Sequence, residues 1–231
     1  MGTDPPVDPD HGARWVLGLD EAGRGSVVGP LVVGGFLVRE DRLEELPAAG
    51  ACDSKQISPS RREVVYGNLA ALGDRTVVVL PPTRVDAAVR HHGLNLLEAR
   101  AFAQIIRRAR PALTYVDACD PVAARFGRLV RALSGWNAPV VAEHRADRDR
   151  PIVGAASIVA KVRRDRAVAS LARRLGLEVG SGYPSDPRTV ACLRDELATA
   201  SAEATWIRHS WSTATRLKPP PRLVPLDEFA R

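Results

Sequence analysis

Three β-rich runs in this chain end in, or lead within a few residues to, an aspartate, and segments of helical periodicity lie between the runs. WVLGLD (15–20) ends in Asp20, LTYVD (113–117) ends in Asp117, and PVVAEH (139–144) is followed by Asp147. With PLVVGGFLV (30–38) and TVVVL (76–80) these runs make about five strands by β-propensity and bounding turn residues. Residues 60–72, 94–110 and 121–133 carry apolar side chains at three- and four-residue spacing, the mark of a helix with one buried face. Strand alternating with helix specifies an α/β fold. In such sheets, chemistry gathers where strands end at their carboxyl side.

After the fifth strand the pattern turns helical, with helices expected over 155–176 and near 188–200, joined by the loop VGSGYPSDP. Four parts are therefore expected. Residues 1–13, rich in Pro, Asp and Gly, form a disordered lead-in; 14–153 form an α/β catalytic domain; 154–215 form a helical C-terminal subdomain; 216–231 form a Pro-rich tail. A length of 231 residues with 45% hydrophobic residues is enough for a core that needs no disulfide or structural metal. No apolar run approaches the roughly 20 residues that span a bilayer, and the N-terminus lacks the basic-then-apolar order of a leader. Cys52, Cys119 and Cys192 have no C-x-x-C spacing, so the simplest setting is a reducing cytoplasm. A monomer is expected. The net charge of +6 favours polyanionic partners only weakly. Among 33 basic residues only Lys55, Lys161 and Lys218 are lysines, which draws attention to where they stand.

A single strand-end aspartate is often just the N-cap of the next helix. Three in one sheet, with Glu21 beside the first, are harder to account for that way. If the strands are neighbours, Asp20, Glu21, Asp117 and Asp147 converge, and four like charges repel unless protonated or bridged by a cation. A donor set of oxygens alone, without His or Cys, suits Mg²⁺ or Mn²⁺ and the phosphates such ions accompany, so a phosphodiester substrate follows. Adjacent strand residues face opposite sides, so Asp20 and Glu21 are expected to share a site through a break in the strand at the AGRG turn that follows. In GLDEAGRGSVVGP (18–30), Gly23 and Gly25 flank Arg24 and permit close backbone approach to a ligand. The spacing is not that of a dinucleotide or Walker loop.

GLDEAGRGSVVGPLVV, ACDSKQIS (51–58), YVDACDP (115–121), HRAD with PIVGAASIVAKVRRD (144–165) and GSGYPSDPRT (180–189), in this order, resemble ribonuclease HII, and GSGYPSDP with RHSWST (208–213) resembles its archaeal branch. The resemblance covers roughly residues 15–215. It implies a ribonuclease-H-like fold: a mixed five-stranded sheet with flanking helices and a helical C-terminal subdomain. It also implies an endonuclease that hydrolyses the RNA strand of RNA–DNA hybrids and cuts 5′ of single ribonucleotides in duplex DNA, leaving 3′-hydroxyl and 5′-phosphate ends. Such an enzyme serves DNA replication and ribonucleotide excision repair.

By the same resemblance Asp20, Glu21, Asp117 and Asp147 stand where the family binds two divalent ions, Mg²⁺ or Mn²⁺. Gly23, Arg24 and Gly25 match the element that reads the ribose 2′-hydroxyl, Tyr183 the tyrosine that senses the RNA–DNA junction, and Lys55 and Lys161 phosphate-contacting positions. Ser157 is a further candidate for phosphate, although a helical Ser bonded to its own backbone is nearly as good a reading. Arg163, Arg164 and Arg166 read most simply as a solvated helix face or a non-specific backbone contact. The departures from the usual motifs are Gln56, Ala118 with Cys119, and Arg145. None removes a carboxylate. Leu226 and Phe229 in the tail resemble part of a sliding-clamp-binding peptide without its glutamine. Other readings are a ribonuclease HIII-type enzyme, against which the short stretch before the first strand counts, a non-catalytic hybrid-binding module, and a nucleotide-binding hydrolase, which fails on loop spacing.

Overall fold

A computed structural model describes residues 13–51, 54, 56–199 and 204–219. Five strands, β1 (Trp15–Ala22), β2 (Leu31–Arg39), β3 (Gly73–Leu80), β4 (Leu113–Asp117) and β5 (Val140–Glu143), form one mixed sheet in the order β3-β2-β1-β4-β5. The hairpins β1–β2 and β2–β3 are antiparallel, whereas β4 and β5 run parallel to β1. A short 3-10 turn follows β2 at Glu40–Glu45. The helices are α1 (Pro59–Leu69), α2 (Pro82–Arg90), α3 (Leu94–Ala109), α4 (Ala123–Ser134), α5 (Ala146–Asp149), α6 (Pro151–Leu175), α7 (Pro187–Ala198) and α8 (Ser212–Leu217). Among the described residues no helix is long and apolar enough to cross a membrane.

The two faces of β1 organise the molecule. Leu17 and Leu19 point to a core shared with α3 and α4, where Phe102 meets Phe126 edge-on with ring centroids 5.7 Å apart. Val16 points to the opposite core, built with α1 and the first half of α6. There α6 lies so close to the sheet that a Cβ on Gly18 would stand 2.2 Å from the Ile152 carbonyl oxygen, and one on Gly34 2.6 Å from Ala156 O and Ala160 N. Glycine at both positions is what lets helix and sheet touch along their backbones. The second half of α6, through Val168 and Leu171, packs into a third core with Val27, Val28, Val179, α7 and α8.

The sheet and most helices lie where periodicity places them, and the differences have local causes. The helix expected from 155 begins at Pro151, a residue suited to the first helical position, and ends at Gly176 in the left-handed region (φ 67°). Consequently the boundary drawn between 153 and 154 falls inside α6. Helix α2 was not expected; it too starts on a proline, directly after β3. The last helix extends to Leu217, two residues into the segment assigned to the tail. Strand β1 does not break after Asp20. Asp20 and Glu21 face Gly34 and Val33 in the continuing ladder, and the turn opens only after Ala22. The two carboxylates therefore leave the sheet on opposite faces, at its very end.

Candidate active site

The registered pairs of β1 and β4 end at Leu19–Val116, so Asp20 and Asp117 are the next residues along two adjacent parallel strands and share a face. Asp147 reaches them through a short helix. Arg145, in the left-handed region (φ 59°), turns the chain out of β5, and the Ala146 N–H at the start of α5 donates to Asp117 Oδ1 at 2.9 Å. That bond draws α5, and Asp147 with it, against the end of β4. Glu143, registered opposite Asp117, is taken up by a bidentate pair with Arg150 (2.9 and 2.8 Å), which holds its carboxyl below the usual range.

Asp20 is buried, and its carboxyl is pushed well above the usual aspartate range. Burial is the largest cause, followed by the negative charges of Glu21, Asp117 and, less strongly, Asp147. The Glu21 N–H, donating to Asp20 Oδ1 at 2.7 Å, offsets only part of this. The other three carboxylates chosen from the sequence therefore all act on Asp20. Among the described residues no group of three or more His, Cys, Asp or Glu side chains is placed so that it could hold a metal ion. The donor set nevertheless suits a hard divalent cation in its chemistry: the groups are oxygen-only, Asp20 and Glu21 line the cleft while Asp117 and Asp147 act on Asp20 from beside it, and the repulsion on Asp20 is what such a cation relieves.

The cleft beside them, about 430 Å³ in volume, is lined by Asp20, Glu21, Ala22, Gly23, Arg24, Gly25, Ser54, Ser157, Lys161 and Tyr183. Every substrate-binding candidate from the sequence except Lys55 is in that lining, and Lys55 lies outside the described residues. Gly23 takes a left-handed conformation (φ 87°), and a Cβ there would stand 2.8 Å from the Pro30 carbonyl oxygen. Gly25 is different: among the described residues, its chain neighbours aside, no atom lies within 4 Å of where its Cβ would be, which leaves the space over it open to a ligand.

The turn between these glycines is held from below. Arg24 is ion-paired with Glu98, a fully buried carboxylate on α3, and donates to Asn95 Oδ1 at 2.7 Å. Arg208, itself buried, donates to the carbonyls of Arg24 (2.9 Å) and Gly29 (3.2 and 3.1 Å), and its pKa is lowered to about 10 by burial and by nearby Arg164. Burial also lowers the Lys161 ammonium, against the opposing effect of Asp165, whose Oδ1 accepts from it at 2.5 Å. Ser54 and Ser157 share a hydroxyl hydrogen bond of 2.7 Å, while Arg62 donates to the Ser54 carbonyl at 2.8 Å and faces Asp165 at 3.6 Å. Ser54 is thereby tied to α6.

Arg164 is not part of a solvated helix face: it is fully buried behind the cleft. Glu98, Arg164 and Ser54 were missed as contributors. The first two had a signal, since each is a charge set within a helix's apolar stripe, Glu98 between Leu94 and Phe102 and Arg164 between Ala160 and Val168.

The match to known proteins covers this whole construction. Residues 17–214 fit the family model of ribonuclease HII. The ribonuclease HII of Methanocella arvoryzae is 41% identical over 200 residues, covering 86% of this chain and 89% of that protein, and that of Pyrococcus horikoshii is 42% identical over 206 residues, covering 88% and 92%. In structure the chain is similar to the ribonuclease H2 of Pyrococcus horikoshii, with a TM-score of 0.81 and 41% identity over 88% of this chain and 97% of that one. It is also similar to the RNase HII of Archaeoglobus fulgidus solved in a complex with PCNA, with a TM-score of 0.79 and 36% identity over 93% of this chain and 100% of that one. From the first core strand to the last helix, then, the chain belongs to the ribonuclease HII family and is a ribonuclease H type 2 endonuclease.

Proposed function

We propose that the enzyme cuts the phosphodiester 5′ of a ribonucleotide, in RNA–DNA hybrids and at single ribonucleotides in duplex DNA, with Asp20, Glu21, Asp117 and Asp147 holding two divalent ions, Mg²⁺ or Mn²⁺. The family is divalent-metal dependent. The observation that carries this reading is the charge on Asp20, which feels all three other acids beside a cleft lined by Gly23, Arg24, Gly25, Lys161 and Tyr183. When bound, the ions supply an activated water and stabilise the departing 3′ oxygen of an in-line displacement. The rest falls to the chain. The open backbone at Gly25 admits a sugar edge, where the 2′-hydroxyl separates RNA from DNA. Lys161, Ser157 and Lys55 take phosphate oxygens, and the Tyr183 ring packs on the sugar at the junction.

The test is cleavage of a labelled duplex carrying one ribonucleotide. Cutting on its 5′ side is expected with Mg²⁺ or Mn²⁺, none in chelator, and none from Asp20→Asn or Asp117→Asn, which retain binding. Full activity in chelator overturns the reading. Substrates of this kind place the enzyme with cytoplasmic nucleic acid during replication and ribonucleotide repair. Leu226 and Phe229, which lie outside the described residues, are assigned to a sliding clamp, a partner consistent with the PCNA complex of the Archaeoglobus fulgidus relative. Removing residues 220–231 is expected to weaken clamp binding and leave cleavage of free duplexes unchanged; unchanged clamp affinity removes the assignment.

A further inference from the structure

The least expected group in the molecule is the guanidinium of Arg164. Its side chain is 1% exposed, and Nη1 has a partner in Asp165 Oδ1 at 3.3 Å, yet Nε and Nη2 are buried with no hydrogen-bond partner among the described residues. Burying a charge in this way costs free energy that a solvated arginine avoids. The same helix could place a leucine there, so the position of the charge needs a reason.

What the guanidinium touches supplies it. Its carbon lies over the Tyr183 ring, 4.4 Å from the centroid, a cation–π contact to which a flat, delocalised cation is suited. On one side its chain packs beneath the turn after β1: Cγ and Nε would be 3.4 Å from a Cβ on Gly23. On the other, Nη2 would be 2.6 Å from a Cβ on Gly182, so the loop bearing Tyr183 also closes onto it. The two loops are themselves bonded, with Val27 and Val28 N–H donating to the Gly182 carbonyl at 2.9 and 3.1 Å. Arg164 therefore stands at the junction of both recognition elements, under the floor of the cleft and out of contact with solvent.

We propose that Arg164 is a positioning residue that determines specificity: it fixes the Tyr183 ring relative to the Gly23–Gly25 turn, and so sets how strongly the enzyme prefers an isolated ribonucleotide to a continuous hybrid. The inference rests on the reading above, in which the turn recognises the 2′-hydroxyl and Tyr183 the sugar across the junction. An isolated ribonucleotide needs both contacts at one fixed spacing. A long hybrid offers a 2′-hydroxyl at every step and no deoxyribose beyond it, so it depends less on where the ring stands. A shift of about 1 Å in a positioning contact is enough to cost on the order of 10²-fold in rate.

The experiment compares kcat/KM on a single-ribonucleotide duplex and on a continuous hybrid for wild type, Arg164→Lys, Arg164→Met and Tyr183→Ala. Arg164→Lys keeps the charge and stem but not the flat face, so it guards against loss of the fold, which thermal melting monitors. The ratio of the two kcat/KM values is expected to fall about tenfold or more in both Arg164 variants. In a Tyr183→Ala background, Arg164→Lys should change the ratio little further, because residues acting through one another are not additive. A ratio that falls in Tyr183→Ala but holds in folded Arg164→Lys overturns the proposal alone. A ratio that survives Tyr183→Ala removes the junction reading and the proposal with it. Equal losses on both substrates in the Arg164 variants reduce the residue to a structural role and overturn the proposal.

Discussion

The guanidinium of Arg24 sits on the carboxylate of Glu98, 74 residues away and completely buried in α3. The turn after β1 is thus fastened to the helix layer by a charge pair in which only the arginine reaches the cleft. Removing one partner of such a pair leaves a buried charge uncompensated, typically at a cost of about 3–5 kcal/mol. Arg24→Leu is therefore expected to lower stability by roughly that amount. The double variant Arg24→Leu with Glu98→Leu should regain most of the loss while cleavage stays impaired. Urea denaturation and a cleavage assay on both proteins separate the two effects.

Asp20 carries an opposite liability. Its charge is disfavoured by burial and by three acidic neighbours, so without divalent ions the carboxylate cluster works against the fold. Asp20→Asn is expected to raise Tm in chelator, each kcal/mol of relieved repulsion appearing as roughly 2–4 °C in a chain of this size. The same variant should show no cleavage and a smaller gain in Tm when Mg²⁺ is added. Differential scanning calorimetry with and without the ion checks both. A lower Tm in chelator would contradict the electrostatic picture.

Glycines at the site and under the sheet separate function from packing. Among the described residues, its chain neighbours aside, the Cβ of Gly25→Ala meets no atom within 4 Å, so its Tm should match wild type while substrate affinity falls. Gly34→Ala forces a Cβ against the backbone of α6 and is expected to cost about 1–3 kcal/mol or more, as overpacking does. Thermal melts beside binding isotherms for the two variants show whether the open space over Gly25 is used by a ligand.

Asp186 sets a pH dependence on the loop that carries Tyr183. Its carboxyl is held down at about 2, chiefly by the Ser181 N–H and further by the Arg188 N–H at the start of α7. A folded pKa below the usual 3.8 means the unfolded chain binds the proton first. The stabilisation is therefore complete above about pH 4 and declines as pH falls toward 2. The stability difference between wild type and Asp186→Asn should be largest above that range and shrink through it, as followed by denaturant unfolding at stepped pH. A difference that grows on acidification would reverse the assignment.

The sheet and the acids were legible because both leave short-range marks. A run such as WVLGLD announces a strand by its composition, and an acid at the end of each of two strands places Asp20 and Asp117 at one edge once the strands are adjacent. Asp147 was harder, since the bond from Ala146 N–H to Asp117 that locates it crosses 29 residues and has no sequence pattern. The continuation of β1 through Glu21 was misread because the turn-forming GRG was allowed to end the strand early, whereas pairing with β2 carries it to Ala22. Supports such as Glu98 and Arg164 look like surface charges until the helix period sets them on a buried stripe. Their partners, a turn and a loop, are long-range contacts that no local propensity encodes.

One helix joins all of this. Residues 152–160 of α6 close one face of the sheet, Ser157 and Lys161 line the cleft, Arg164 and Asp165 sit behind it, and Val168 and Leu171 seat the C-terminal helices. Attempts to retune which nucleic acid is cut by altering this rod will meet resistance from thermostability, because there is almost no position along its buried side that serves one purpose only. Laboratory evolution toward altered selectivity should therefore draw its accepted changes from the loops that lean on α6 and spare the helix.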